Sequence, residues 1–102
     1  MIADMKARSL INRRVILKPT VYAELVIWET PAPVVGSYHR IKYRLALVAN
    51  GVCVVRYDNE AGKGDHAHID GTERSYRFDN VDGLIADFMA EARKWLDEHG
   101  DA

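Results

Sequence analysis

The sequence predicts an α+β fold, an antiparallel β-sheet of about five strands in a meander with one C-terminal amphipathic helix packed on one face. Three observations predict it. Residues 21–29 alternate apolar and polar side chains with the period of a half-buried strand. Asn50-Gly51 separates two strand-like runs and is the strongest short hairpin signal in the chain. Residues 81–98 carry apolar side chains at helical spacing.

The elements follow in order. Residues 7–18 mix β-branched and apolar residues with charges and read as a strand, ended by Pro19-Thr20, since proline offers no ladder donor. In 21–29, Val21, Ala23, Leu25 and Ile27 should face a core, with Tyr22, Glu24, Val26 and Trp28 on the other side. Pro31-Ala32-Pro33 enforces an extended loop. Strands over 37–49 and 52–58 then flank Asn50-Gly51, where both residues tolerate the positive φ of a two-residue turn. Taken literally, that turn pairs residues whose numbers sum to 101. Tyr57 then lies beside Arg44 and Cys53 beside Val48, and the open end of the hairpin bears Arg40, Lys42, Arg44 and Tyr57 on one face. A further strand is expected over 72–78.

Asp79 or Asn80 can cap the helix by accepting from an orphan N–H. Val81, Leu84, Ile85, Phe88, Met89, Ala92, Trp95 and Leu96 form its apolar stripe, and His99 suits the negative end of its dipole. One helix covers one sheet face, so the other must be wetted, bind a ligand or pair with a second copy. Tyr22, Trp28, Tyr38 and the Arg40–Arg44 strip are candidates for that face.

At 102 residues the chain supports a single domain, 1–102. No apolar run approaches the ~18 residues of a membrane span. Asp4, Lys6 and Arg8 stand where a signal peptide would be apolar, so a cytoplasmic protein without membrane contact is expected. The single cysteine, Cys53, allows no intrachain disulfide and lies between valines, as a small core residue would. The net charge of −1 conceals a division. Residues 1–57 carry nine Lys/Arg and three acids, whereas 58–102 carry five and twelve. One face suited to a polyanion is therefore expected.

The densest chemistry lies in Gly62-Lys63-Gly64-Asp65-His66-Ala67-His68, with a cation, a carboxylate and two imidazoles in seven residues. In extended backbone His66 and His68 project to one side. Cleavage of an RNA phosphodiester needs a base for the 2′-hydroxyl, an acid for the leaving oxygen and a cation for the phosphorane. His66 and His68 can supply the first two, worth ~10²–10⁴ each in rate. Lys63 and Arg44 can supply the third, and Asp65 can orient an imidazole tautomer. Arg40, Lys42, Arg44 and Arg56 with Tyr57, Tyr38 and Tyr43 suit single-stranded RNA, which stacks its bases on aromatic rings, and His39 is a third imidazole nearby.

Metal binding is the competing chemistry, with His66, His68 and Asp65 joined by His39 or Asp58 around zinc or manganese. Without a fixed third ligand, and with Lys63 and Arg56 close by, no metal or other cofactor is expected. A serine nucleophile triad and a phosphate-cradling glycine loop before a helix are both missing from the sequence.

Val26-Ile27-Trp28-Glu29, the run Gly36-Ser37-Tyr38-His39-Arg40-Ile41-Lys42-Tyr43-Arg44-Leu45, and Arg56-Tyr57-Asp58-Asn59-Glu60 resemble the TumE-type toxins of prokaryotic toxin–antitoxin pairs. The residues from Gly62 to His68, Tyr76-Arg77-Phe78 and Asp87-Phe88 continue the resemblance, which spans about residues 7–90. Two positions depart from the pattern: Pro19-Thr20 replaces a frequent Asp-Gly turn, and Ala67 replaces a usual arginine. The first touches only a turn, whereas the second removes a cation beside the expected site.

The resemblance implies a small toxin, encoded beside a DNA-binding antitoxin that neutralises it and acting on growth through RNA. Joined to the residue chemistry, it gives the expectation of a metal-independent endoribonuclease using a His66/His68 acid–base pair. Two other classes stand beside it. One is a module that grips nucleic acid or the ribosome without cleaving, in which Arg40, Lys42 and Arg44 matter and the histidines do not. The other is a metal-dependent hydrolase or nucleotidyltransferase, which a chelator would silence. A homodimer through the uncovered sheet face is a further expectation.

Overall fold

The computed structural model describes residues 7–60, 62 and 64–99. Six strands, β1 (Arg8–Lys18), β2 (Val21–Glu29), β3 (Ile41–Ala49), β4 (Val52–Asp58), β5 (His66–Ile69) and β6 (Thr72–Ser75), precede one helix, α1 (Val81–His99). They lie in sequence order in a single antiparallel sheet. The expected meander and helix are both present, with one strand more than expected.

That extra strand comes from Asp70-Gly71. These residues sit at φ +50° and +81°, the left-handed pair of a two-residue hairpin turn. They pair His68 with Glu73 and His66 with Ser75. The four residues of β5, His66-Ala67-His68-Ile69, alternate but are too few to mark a strand by themselves. The Asp-Gly dipeptide was the available signal. The last strand is also shorter than the expected 72–78. Tyr76 leaves the ladder, although its N–H still donates to the Asp65 carbonyl.

Asn50-Gly51 forms its turn at φ +51° and +80°, and the expected register holds beside it, Ala49 with Val52 and Val48 with Cys53. Beyond that a β-bulge intervenes: Leu47 pairs with Val55, so Val54 is an extra residue and later pairs sum to 102. A slip of one residue exchanges faces. Arg44 therefore lies opposite Asp58, and Tyr57 opposite Leu45. The expected Arg44–Tyr57 neighbours are on opposite faces of the sheet. Cys53, expected in the core, is exposed near the hairpin tip.

The core lies between α1 and one sheet face. Val21, Ala23, Leu25 and Ile27 of β2 pair with Ala49, Leu47, Leu45 and Tyr43 of β3, all buried. Val55, Tyr57 and Ala67 extend this layer, and Leu84, Phe88 and Ala92 close it from the helix. Burying such a layer supplies the main driving force, at about 25 cal/mol per Å² of apolar surface. Asn80 caps the helix as expected, its Oδ1 accepting from Gly83 N–H at 2.7 Å. At the other end His99 Nδ1 donates to the Trp95 carbonyl at 2.9 Å.

The expected strand start at Ser37 is displaced to Ile41. Residues 31–40 form instead a loop, closed by hydrogen bonds from Thr30 N–H to Arg40 and from Val34 N–H to His39 carbonyl oxygens. This loop lies against Gly62 and Gly64, and Gly36, at φ +86°, touches backbone there: a Cβ would sit 2.6 Å from Gly64 N. Fully buried Asn59 continues the sheet beyond β4. Its Oδ1 accepts from Tyr43 N–H at 3.0 Å and its Nδ2 donates to the Ile41 carbonyl at 2.8 Å. The loops around the histidine run are thus tied to the end of β3.

Candidate functional site

Strand alternation divides the residues singled out in the sequence between two sites. The face away from α1 carries Lys42 and Arg44 from β3, Arg56 and Asp58 from β4, His66 and His68 from β5, and Glu73 from β6. Tyr22, Glu24 and Trp28 lie on the same face, as expected. No secondary-structure element among the described residues covers it.

At its β4–β6 end the groups converge. His66 Nε2 is 2.8 Å from Asp58 Oδ1 and 3.8 Å from Glu73 Oε2, and His68 Nε2 is 3.7 Å from Glu73 Oε1. The two imidazoles meet edge to face at 5.2 Å. Arg56 Nε lies 2.8 Å from Asp58 Oδ2. His66 is buried, its side chain 6% exposed, while that of His68 is 28% exposed.

The polar accounting at this cluster is incomplete. His66 Nδ1 donates to the Gly64 carbonyl at 3.0 Å, the role a carbonyl oxygen imposes on it. The Nε2 contact to Asp58 is close but off the axis of an aligned hydrogen bond. Among the described residues Arg56 Nε, Asp58 Oδ1 and His68 Nε2 are buried without an aligned hydrogen-bond partner. Such atoms carry a desolvation cost of about 1–3 kcal/mol each, more when charged. His66, His68 and Glu73 also bring ligand-type atoms within 4.8 Å of one another.

The second site is on the side of the helix. Asp65 Oδ2 accepts from Tyr43 Oη at 2.7 Å and from His39 Nε2 at 2.7 Å, and Ser37 Oγ donates to Oδ1. The His39 tautomer follows from its other nitrogen, where Nδ1 accepts from Ile41 N–H at 3.1 Å. His39 stacks on Phe78 with centroids 3.9 Å apart. Ser37 bonds to the carboxylate rather than to the imidazole, so this is no nucleophile triad. Burial first, then the hydrogen bond to Asp65, raises the Tyr43 phenol far above its ordinary range. Burial and Asp87 do the same to Tyr76, which donates to Asp87 Oδ2 at 2.6 Å.

The expected site residues therefore separate. His66, His68, Lys42, Arg44 and Arg56 share the open face. Asp65 orients His39 rather than the histidine pair. Tyr57, only 3% exposed, packs edge-on against Tyr76 and Phe88 beneath the helix and cannot stack a base. Tyr43 is fully buried as well. Arg40 is exposed in the loop before β3. Lys63 lies outside the described residues. The basic strip is partly neutralised, since Glu24 lies 2.6 Å from Arg14 and 3.8 Å from Arg44. Asp58 and Glu73, absent from the expected catalytic set, are placed by register alone. With the Asp70-Gly71 turn read as a hairpin, Glu73 falls opposite His68.

Among the described residues no helix is long and apolar enough to cross a membrane. The family model described as Toxin TumE matches residues 4–96. No curated protein and no solved structure matches the chain.

Proposed function

The chain belongs to the TumE toxin family and is the toxin component of a toxin–antitoxin system, and on that premise we propose that it acts on RNA as an endoribonuclease, through the open face of its sheet. The observation that carries this reading is that His68 and Arg56, cross-strand neighbours, share that face with Lys42 and Arg44. Cations along adjacent strands hold a phosphate backbone, and a group able to move protons lies at the end of their row. Around the histidines that face is charged, with Arg44, Arg56, Asp58 and Glu73, which suits a polyanion better than a second copy of the chain.

The two histidines have unequal places in this reading. His68 presents a partly open imidazole and is the group that meets the substrate. His66 lies beneath it, held by the Gly64 carbonyl and Asp58. Arg56, drawn to the cluster by Asp58, is the cation beside the scissile phosphate. The protein partner is the neutralising antitoxin, and the place of action is the cytoplasm, where the RNA is.

Incubation of purified protein with total RNA tests the reading. Cleavage by the wild type and its loss in His68→Ala are expected. Intact RNA after incubation with the wild type overturns it. RNA retained without cleavage would leave the non-cleaving grip on nucleic acid or ribosome as the better account.

A further inference from the structure

We propose that His66, His68 and Glu73 hold one divalent transition-metal ion of the zinc type on the open face, with the Asp58 carboxylate beside it. For its substrate the inference rests on the RNA-cleaving reading; it changes which group makes the base.

The ligand set is drawn from two adjacent strands, β5 and β6, with Asp58 of β4 beside it on the same face. His66 is the register partner of Asp58, and His68 that of Glu73. Two imidazoles with a carboxylate are a donor set that zinc takes, whereas magnesium and calcium favour oxygen alone. Zinc bonds of about 2.0–2.1 Å at tetrahedral angles put ligand atoms about 3.3 Å apart. Here Glu73 oxygens stand 3.8 and 3.7 Å from the two Nε2 atoms, and the ligand atoms lie within 4.8 Å overall. Rotation of Glu73, whose side chain is 38% exposed, shortens its own two distances without disturbing the core.

Two independent features point to a cation at this place. His66 Nδ1 donates to the Gly64 carbonyl, the outer contact that typically fixes a metal-binding imidazole and leaves Nε2 as its lone-pair atom. That atom stands 2.8 Å from Asp58 Oδ1 with no aligned hydrogen bond between them, a contact that a positive charge beside the pair would relieve. Asp58 Oδ1 and His68 Nε2 are also buried with no aligned hydrogen bond among the described residues. One ion on His66, His68 and Glu73 would give His68 Nε2 a partner and set a positive charge beside Asp58 Oδ1. Arg56, which argued against a dication in the sequence, is engaged by the opposite oxygen, Asp58 Oδ2.

A zinc-type ion lowers the pKa of bound water to about 7 and so supplies a base at neutral pH. That base takes the 2′-hydroxyl proton, the 2′-oxygen bonds to phosphorus, the bond to the 5′-oxygen breaks, and the proton ends on that oxygen. His66 and His68 then serve as ligands rather than as the proton-transferring pair.

The test is metal binding by the purified full chain, stripped with chelator and titrated with Zn²⁺ by calorimetry, with Co²⁺ absorption reporting geometry. One ion per chain is expected. Glu73→Gln and His68→Ala should each weaken binding by roughly 100-fold or more, since even outer-shell changes cost 10–100-fold. His39→Ala, at the other site, should leave it unchanged. Circular dichroism confirms folding, and Zn²⁺ should raise the wild-type melting temperature but not that of the exposed-site variant Glu73→Gln. No binding by the wild type, or binding that both ligand variants retain, overturns the proposal. Binding without RNA cleavage would leave it standing and overturn the nuclease reading. RNA cleavage by metal-free protein in EDTA would leave the nuclease reading standing and overturn the ion's part as the base.

Discussion

Asp65 and His66 are neighbours in the chain and serve opposite faces of the sheet. Asp65 accepts from Tyr43 and His39 on the helix side, while His66 meets Asp58 on the open side. The dense run from Gly62 to His68 is therefore two sites joined by one peptide bond. One holds the loops to the end of β3, and the other faces solvent with the cations of the strip.

Replacing Asp65 with Asn should separate those sites. The carboxylate receives Ser37, His39 and Tyr43, and an amide cannot accept from all three. A loss of about 2–4 kcal/mol is expected. It would be measured by urea denaturation, with RNA cleavage per folded molecule retained. Lost activity in a fully folded Asp65→Asn protein would contradict the assignment.

Gly36 should tolerate no side chain. A Cβ there meets the Gly62 carbonyl oxygen and Gly64 N, both backbone, at a φ of +86°. Gly36→Ala should cost at least about 2 kcal/mol. Gly51→Ala, where nothing lies within 4 Å, should cost only the left-handed strain, about 1 kcal/mol. Equal thermal shifts for the two would show that the loop contact is unimportant.

Alkaline pH should destabilise the fold through Tyr43 and Tyr76. Both phenols are held protonated by burial first and then by a carboxylate acceptor, Asp65 or Asp87. In the unfolded chain they release protons near pH 10. The unfolded state then binds fewer protons than the folded one, so the stability present below about pH 10 is lost as pH rises through the alkaline range. Urea midpoints between pH 8 and pH 11 should fall, less steeply in Tyr43→Phe. A slope that Tyr43→Phe leaves unchanged would remove Tyr43 from the account.

Lys42 and Arg44 should set the salt dependence of RNA binding. For single strands the slope of log affinity against log salt is about −0.7 per neutralised phosphate. The double change Lys42→Ala/Arg44→Ala should reduce its magnitude by up to about 1.4. Glu24 already engages Arg44 at 3.8 Å, so Lys42 should contribute the larger share. Filter binding across a salt series measures this, and an unchanged slope would place the RNA elsewhere.

Much of the fold was legible because it rests on local periodicity. The alternation of Val21–Ile27, the Asn50-Gly51 turn, the Asn80 cap and the stripe from Leu84 to Ala92 all appear in the structure as read. Sequence reasoning missed what one inserted residue does to a register. Val54 is apolar and β-branched like Val52 and Val55, so nothing in its chemistry marks it as the bulge that moves Tyr57 beneath the helix. Asp70-Gly71 did mark a hairpin, and reading it would have placed Glu73 beside His68.

The sequence by itself determined the meander, the C-terminal helix, the TumE resemblance and the shared face of His66 and His68. Each depends on short-range spacing, where a period of two or of 3.6 assigns a side. Only the tertiary structure decided which groups each histidine meets. Asp58 and Glu73 reach His66 and His68 across strands, and His39 reaches Asp65 over 26 residues. Those meetings depend on a bulge, two turns and a loop crossing at Gly36, which set register and approach between segments that the local pattern treats separately.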